Sequence, residues 1–173
     1  MDMALAVTHI ILTIVVLDLL RHYVFGKKKF PRHLIVIGGI AGLLPDIDVI
    51  LTWGYNFLFK TDITLHGTFT HSLLWPIAAI VIGTILYFYN KKDKIKIKAK
   101  IAYVIAFGLF SHILLDCLYG GYKTFFWPLS LNIISSGFCP NWGIHNHATS
   151  IDAVILVIWL VHEDMHNYIK DYF

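Results

Sequence analysis

The stretch that decides the fold covers residues 34–50, which read LIVIGGIAGLLPDIDVI. Its first part, Leu34–Leu44, carries no polar side chain and would form about 16 Å of helix at 1.5 Å per residue. Pro45 then clashes with the preceding turn and disfavours helical geometry at the residue before it. Asp46 and Asp48 follow within an otherwise apolar segment. Because broken helix is tolerated in a bilayer only beside protein or a polar cavity, the stretch predicts an interrupted membrane helix next to a polar site.

The rest of the chain is equally apolar. Of its 173 residues 57% are hydrophobic and 14% charged, and the mean hydropathy is +0.67, so lipid must cover side chains that one soluble domain could not bury. We predict an all-α, polytopic membrane protein with about five transmembrane helices, the second broken at Pro45, in a single domain over residues 1–173. The first block is expected to remain as a span, because it lacks a basic start and a cleavage site. Five apolar blocks approach the roughly 20 residues that cross hydrocarbon: Met3–Phe25, Leu34–Trp53, Ser72–Tyr89, Ile101–Tyr119 and Ile151–Tyr168.

The basic residues predict an orientation. Eleven of the 14 Lys and Arg fall within two connections, residues 21–32 and 91–100. By the positive-inside rule both are cytoplasmic. Connections 55–70 and 120–149 and the N-terminus are then external, and the C-terminus is cytoplasmic. The lysine run at 91–100 lacks interleaved aromatic residues, so we expect it to face anionic lipid and not nucleic acid. Membrane lipids are thus the expected partners, and the oligomeric state stays open.

On this topology a set of polar residues arrives near the external side of the bilayer. His112 and Asp116 are four positions apart and share a helical face. Asp46 and Asp48 would diverge by about 200° on a regular helix, given 3.6 residues per turn. Either the break at Pro45 lets both carboxylates face inward, or one binds an ion and the other orients a histidine. His9 opens the first span and His71 opens the third, at the same depth.

These residues predict a metal site, with helix-to-helix hydrogen bonding as the alternative. An aspartate at the bilayer centre costs about 2.5 to 3.5 kcal/mol on insertion scales, and a shared cation would offset much of that cost. Imidazole and carboxylate ligands without thiolate suit zinc best, or manganese or iron, and more than four ligands leave room for one or two ions. His66 is a further candidate, His145 and His147 stay open, and the segment His162–His166 is expected to be a solvated helix end.

Several motifs together resemble a known family. They are Thr8-His9, Gly42–Asp48, His66, Thr70–Leu73, Ser111–Asp116 and Trp127-Pro128, and their order and spacing are similar to those of the YdjM-like inner-membrane proteins of bacteria and archaea, which are regarded as metal-dependent hydrolases. The resemblance covers about residues 8–128. It implies that the family's metal positions are occupied here by His9, Asp46, Asp48, His66, His71, His112 and Asp116.

We therefore expect a membrane-bound, metal-dependent hydrolase that cleaves an ester or phosphoester at the external face. Metal-activated water is the expected nucleophile, and Asp48 is given a catalytic role besides its place among the ligands. A lipid or lipid-linked substrate is expected, because a soluble one would gain little from a site sunk in the bilayer. Two other classes stay open: a metal-ion or proton transporter that uses the same cluster, with Asp18 as an inward continuation, and a non-catalytic scaffold with a structural metal.

Overall fold

A computed structural model describes residues 6–63, 66–89, 93–118, 125–128 and 148–167, and all regular structure in them is helical. Six α-helices occur in these ranges. They are α1 (Ala6–Leu20), α2 (Arg32–Ala41), α3 (Ile47–Phe59), α4 (Leu74–Tyr89), α5 (Asp93–Leu118) and α6 (Ala148–Asn167). Because α2 and α3 form one interrupted segment, the predicted all-helical fold with five helical segments is confirmed.

The break in the second segment lies where the sequence predicts it. After α2 ends, one 3-10 turn, Leu44–Asp46, leads directly into α3. Pro45 stands near the start of that turn, where its missing N–H costs no hydrogen bond. The interruption turns Asp46 and Asp48 toward the interior of the fold, with Asp48 completely buried.

Three helical segments are long and apolar enough to cross a membrane: Ala6–Phe25, Arg32–Phe59 and Lys96–Leu118. The first continues from α1 through a π-helical turn, Arg21–Phe25. Helix α4 is apolar but has only 16 residues, fewer than the roughly 20 that span hydrocarbon. The side chains that α4 leaves exposed are largely hydrophobic, as expected for a surface that lipid covers. The number of crossings stays a prediction.

Helix α5 packs against the first two segments through small residues. A Cβ at Gly108 would lie 2.6 Å from the Gly38 carbonyl oxygen and 2.8 Å from the Gly42 nitrogen, so the backbones of α5 and α2 touch there. Small residues permit such close approach of membrane helices. On the neighbouring side Thr13 and Ser111 share a 2.7 Å hydrogen bond between their hydroxyl groups. These contacts fix the height of α5 relative to α1 and α2.

The two ends of the helix assembly differ in chemistry. The basic connections meet at one end, where Lys100 Nζ donates a 2.8 Å hydrogen bond to the Lys29 carbonyl. His9, the helix break and the C-terminal part of α5 lie at the other. Cys117, at this second end, is disulfide-bonded, and the chain's other cysteine is outside the described residues.

One expectation about the basic end is wrong. His162 was predicted to belong to a solvated helix end, but its side chain is only 12% exposed and its Nδ1 lies 3.1 Å from Asp18 Oδ2. Glu163 is also buried, at 6% exposure. The reason is that this side of α6 packs against α1, whereas Asp164, on the other side, is exposed as predicted.

Candidate metal centre

Four polar side chains converge near the end of α5. His71 Nε2 lies 3.2 Å from both His112 Nε2 and Asp116 Oδ2. The same atom is 3.9 Å from Asp46 Oδ1. His112 Nε2 is 3.4 Å from Asp116 Oδ2 and 3.5 Å from Asp46 Oδ1. A tetrahedral ion with bonds of about 2.0–2.2 Å separates its ligand atoms by about 3.3–3.6 Å. The atoms of His71, His112 and Asp116 are close to that spacing, and Asp46 lies farther from His71.

The orientation of His112 is set by the helix break. Its Nδ1 lies 2.7 Å from the Gly42 carbonyl oxygen, just after the end of α2. A carbonyl can only accept, so Nδ1 carries the proton and Nε2 keeps its lone pair for the centre of the cluster. The close contact at Gly108, one turn earlier on α5, brings His112 within reach of that carbonyl.

His71 is oriented by a carboxylate. Its Nδ1 lies 3.2 Å from Asp48 Oδ2 and 3.0 Å from the Thr70 hydroxyl oxygen. Donation from Nδ1 to Asp48 leaves the Nε2 lone pair facing His112 and Asp116. Such carboxylate–histidine pairs are the usual outer support of metal-binding imidazoles, where they fix the tautomer and raise ligand basicity.

Asp48 itself is held by several donors. Oδ1 is 2.8 Å from His66 Nδ1, and Oδ2 accepts from the Gly67 N–H at 3.1 Å and from the Thr70 hydroxyl at 2.5 Å. Gly67 has φ +78°, a left-handed conformation that glycine adopts without steric cost. A carboxylate so fully hydrogen-bonded is well suited to hold His71 in place. Asp48, His66 and His71 are also close enough to bind an ion, so the number of ions, one or two, stays a prediction.

His9 lies directly against this cluster. Its ring stacks on His112 with centroids 3.8 Å apart, and its Nε2 is 3.4 Å from Asp116 Oδ1. His9, His112 and Asp116 are close enough to bind one ion together. The His9 side chain is buried, and its Nδ1 has no hydrogen-bond partner among the described residues. His9 can therefore either bind the ion or orient Asp116.

One side of the cluster is accessible. Asp46 has a side-chain exposure of 22%, whereas His71 and His112 are completely buried and Asp116 is 3% exposed. Water or a substrate would thus approach from the side of Asp46. The Ser72 hydroxyl points elsewhere, since it donates to the Trp127 carbonyl at 2.8 Å, which argues against a serine nucleophile.

The structure brings together all seven residues predicted from the sequence, and their role as metal ligands stays a prediction. His145 and His147 lie outside the described residues. Three supporting groups did not follow from the sequence patterns, namely the Gly42 carbonyl, the Gly67 N–H and the Thr70 hydroxyl. A signal existed for two of them, because Gly67 and Thr70 lie between the predicted ligands His66 and His71, and metal-binding histidines usually have an outer hydrogen-bond partner.

A family model, that of the YdjM inner membrane protein, matches residues 3–168. The chain belongs to the YdjM inner membrane protein family. This confirms the resemblance inferred from the motifs and extends it beyond residue 128 to almost the whole chain. No curated protein and no solved structure gives a significant match to the chain. Membership of the YdjM family supports a membrane location, together with the three helical segments able to span a bilayer.

In this YdjM family chain the cluster holds three carboxylates close together. Every described ion-pair partner of Asp46, Asp48 and Asp116 is a histidine, not a lysine or arginine. Carboxylates and imidazoles are the ligand types that zinc, manganese and iron take in proteins. The residue types, the tautomers and the interatomic distances therefore all fit a divalent metal ion.

Proposed function

We propose that the protein is a membrane-bound metal-dependent hydrolase that cleaves an ester or phosphoester of a lipid or lipid-linked substrate. The observation that carries the proposal is the set of three ligand atoms from His71, His112 and Asp116, 3.2–3.4 Å apart, with Asp46 on the accessible side where a fourth position would be open to water. Zinc is the ion that two imidazoles and one carboxylate with an open fourth position fit best, with manganese and iron as alternatives.

A divalent ion held by these residues would supply an acidified water and an electrophile for the oxygen of an ester or phosphoester. The protein's own contribution is positional. His71 and His112 present Nε2 because Asp48 and the Gly42 carbonyl hold their Nδ1 protons. Asp46 is the carboxylate nearest to solvent, so we assign it the contact with incoming water and the proton released during hydrolysis. Asp48 acts as a positioning residue, since its oxygens are engaged with His66, Gly67, Thr70 and His71.

A groove next to the cluster supports a lipid substrate. It has a volume of about 280 Å³ and is lined by the apolar residues Pro45, Ile47, Phe69 and Trp75, among others, and by Thr70. Pro45 and Ile47 flank Asp46, and Thr70 bonds to Asp48, so an acyl chain in this groove would bring its ester linkage to the accessible side of the site. The groove opens among exposed hydrophobic side chains, where lipid would surround the protein.

The orientation supports an external site. The lysine connections meet at the opposite end of the helices, which the positive-inside rule assigns to the cytoplasm. The disulfide at Cys117, next to Asp116 in sequence, favours an oxidising compartment outside an inner membrane. An external active site would leave the N-terminus outside and the C-terminus in the cytoplasm.

The experiment compares Asp116→Asn with Asp164→Asn, a matched change at an exposed aspartate of α6. We expect wild type and Asp164→Asn to bind the same amount of metal in detergent and to release head groups or acyl chains from ester and phosphoester lipids. Asp116→Asn should fold, lose the metal of this site and lose hydrolysis, because the amide keeps the volume but not the charge.

Two results would contradict the proposal in different ways. If Asp116→Asn kept wild-type metal, the ligand assignment would be wrong. If wild type bound metal but hydrolysed no lipid of the panel, hydrolysis would be refuted, and metal uptake by proteoliposomes would then separate a transporter from a scaffold with a structural metal.

A further inference from the structure

A second cluster of ionisable side chains lies at the basic end of the fold, away from the first site. Asp18, His22 and His162 are close enough to bind one ion together. Asp18 and His22 are four positions apart on the first segment, and His162 comes from α6. The 13 residues from His9 to His22 correspond to roughly 20 Å of helix, so the two clusters are separate.

The distances suit a metal ion. His22 Nδ1 lies 3.3 Å from Asp18 Oδ1, and His162 Nδ1 lies 3.1 Å from Asp18 Oδ2. Both values are near the separation of about 3.3–3.6 Å between neighbouring ligands of a tetrahedral ion. The two imidazole rings are 4.8 Å apart and nearly perpendicular. His22 Nδ1 also lies 2.9 Å from the Asp18 backbone carbonyl, so an ion bound at Nδ1 would replace this hydrogen bond.

The buried charge also calls for a cation. The Asp18 side chain is 2% exposed. When Asp18 and Glu163 are both ionised, neither carboxylate oxygen of Asp18 accepts a hydrogen bond from the described residues. Glu163 is close enough for the two carboxyl groups to repel each other, or to share a proton. Arg21 is the only described arginine or lysine paired with Asp18, at 3.8 Å, and its Nε is engaged with the Phe30 carbonyl. The Arg21 guanidinium is thus shared between Asp18 and a backbone carbonyl, so it offsets the charge of Asp18 only in part.

We propose that Asp18, His22 and His162 form a second divalent metal site, with Glu163 as a further oxygen donor. An imidazole and carboxylate set again suits zinc or a similar ion. Its ligands come from both ends of the chain, so the ion clamps α6 to α1. The site is structural, since its ligands are buried and a closed coordination sphere is typical of structural zinc.

The test counts ions in the full-length protein after metal is removed with a chelator and restored with zinc. We expect His162→Gln and Asp18→Asn each to bind one ion fewer than wild type. His33→Gln is the matched control, because His33 lies in the same part of the fold and is exposed. It should bind as much zinc as wild type. Zinc should raise the unfolding temperature of wild type by more than that of His162→Gln.

A second measurement does not depend on the stability of any variant. With Cu²⁺ in place of zinc, pulsed dipolar spectroscopy on wild type should detect pairs of ions roughly 20 Å apart, the length of the 13 residues between the sites. Two results would overturn the second site and indicate a cluster neutralised by protons. One is an equal zinc content in wild type, His162→Gln and Asp18→Asn. The other is the absence of copper pairs at this distance in a protein that binds copper at one site. Failure of the second-site proposal can be distinguished from failure of the proposal for the first site, because Asp116→Asn tests only the first site.

Discussion

Replacing Gly108 with alanine should disrupt the metal centre without touching any ligand. The new Cβ would lie 2.6 Å from the Gly38 carbonyl oxygen, whereas ordinary contacts begin at 3.4 Å. Because the obstacle is backbone, α5 must retreat by roughly the difference, about 0.8 Å, and such overpacking costs about 1–3 kcal/mol. The same shift would lengthen the 2.7 Å contact between His112 Nδ1 and the Gly42 carbonyl to about 3.5 Å, beyond a useful hydrogen bond.

We therefore expect Gly108→Ala to unfold at a lower temperature in detergent and to bind zinc roughly 10- to 100-fold more weakly, the usual effect of losing an outer-shell partner. Gly54→Ala is the control, because a Cβ there meets nothing within 4 Å. Alanine in a helix interior is about 0.5–1 kcal/mol more favourable than glycine, so this variant should be as stable as wild type or slightly more. Wild-type stability and zinc affinity in Gly108→Ala would refute both the close approach and its coupling to His112.

Two further predictions concern the positioning residue and the topology. Asp48→Asn should weaken zinc binding by about 10- to 100-fold in competition with a chelator, because His71 loses its carboxylate partner. Asp62→Asn, at an exposed position, should bind zinc as wild type does. Equal zinc affinities of the two variants would show that Asp48 does not position His71. A cysteine at Lys94 should resist an impermeant thiol reagent added outside intact cells while one at Lys60 reacts, and the opposite pattern would place the site in the cytoplasm.

Much of the first site was predictable because its signals are local. The spacing of His112 and Asp116 places both on one face of α5, and Pro45 marks the break that brings Asp46 inward. What the sequence could not decide is which aspartate faces the centre and which supports a histidine. That choice depends on the path of the 3-10 turn and on the loop that carries Gly67 and Thr70 to Asp48, neither of which follows from helical periodicity.

The second cluster shows both a missed signal and a true limit. Asp18 and His22 have the same spacing of four as His112 and Asp116, so a shared face was visible in the sequence. His162 could not be added, because its contact with Asp18 depends on how α6 is rotated and shifted against α1. An isolated helix end rich in charge is usually solvated, and only packing across 144 residues of sequence makes this one buried.

The contrast between the clusters suggests which ion is held more tightly. At the first site three carboxylates, Asp46, Asp48 and Asp116, lie close together and would attract a divalent cation strongly. At the second, Arg21 already offsets part of the charge of Asp18 and Glu163 and would repel an incoming cation. Since the energy of a buried charge depends steeply on its partners, the first site should bind zinc more tightly. A chelator titration should therefore remove the ion between Asp18, His22 and His162 first, and loss of the two ions in the reverse order would contradict this argument.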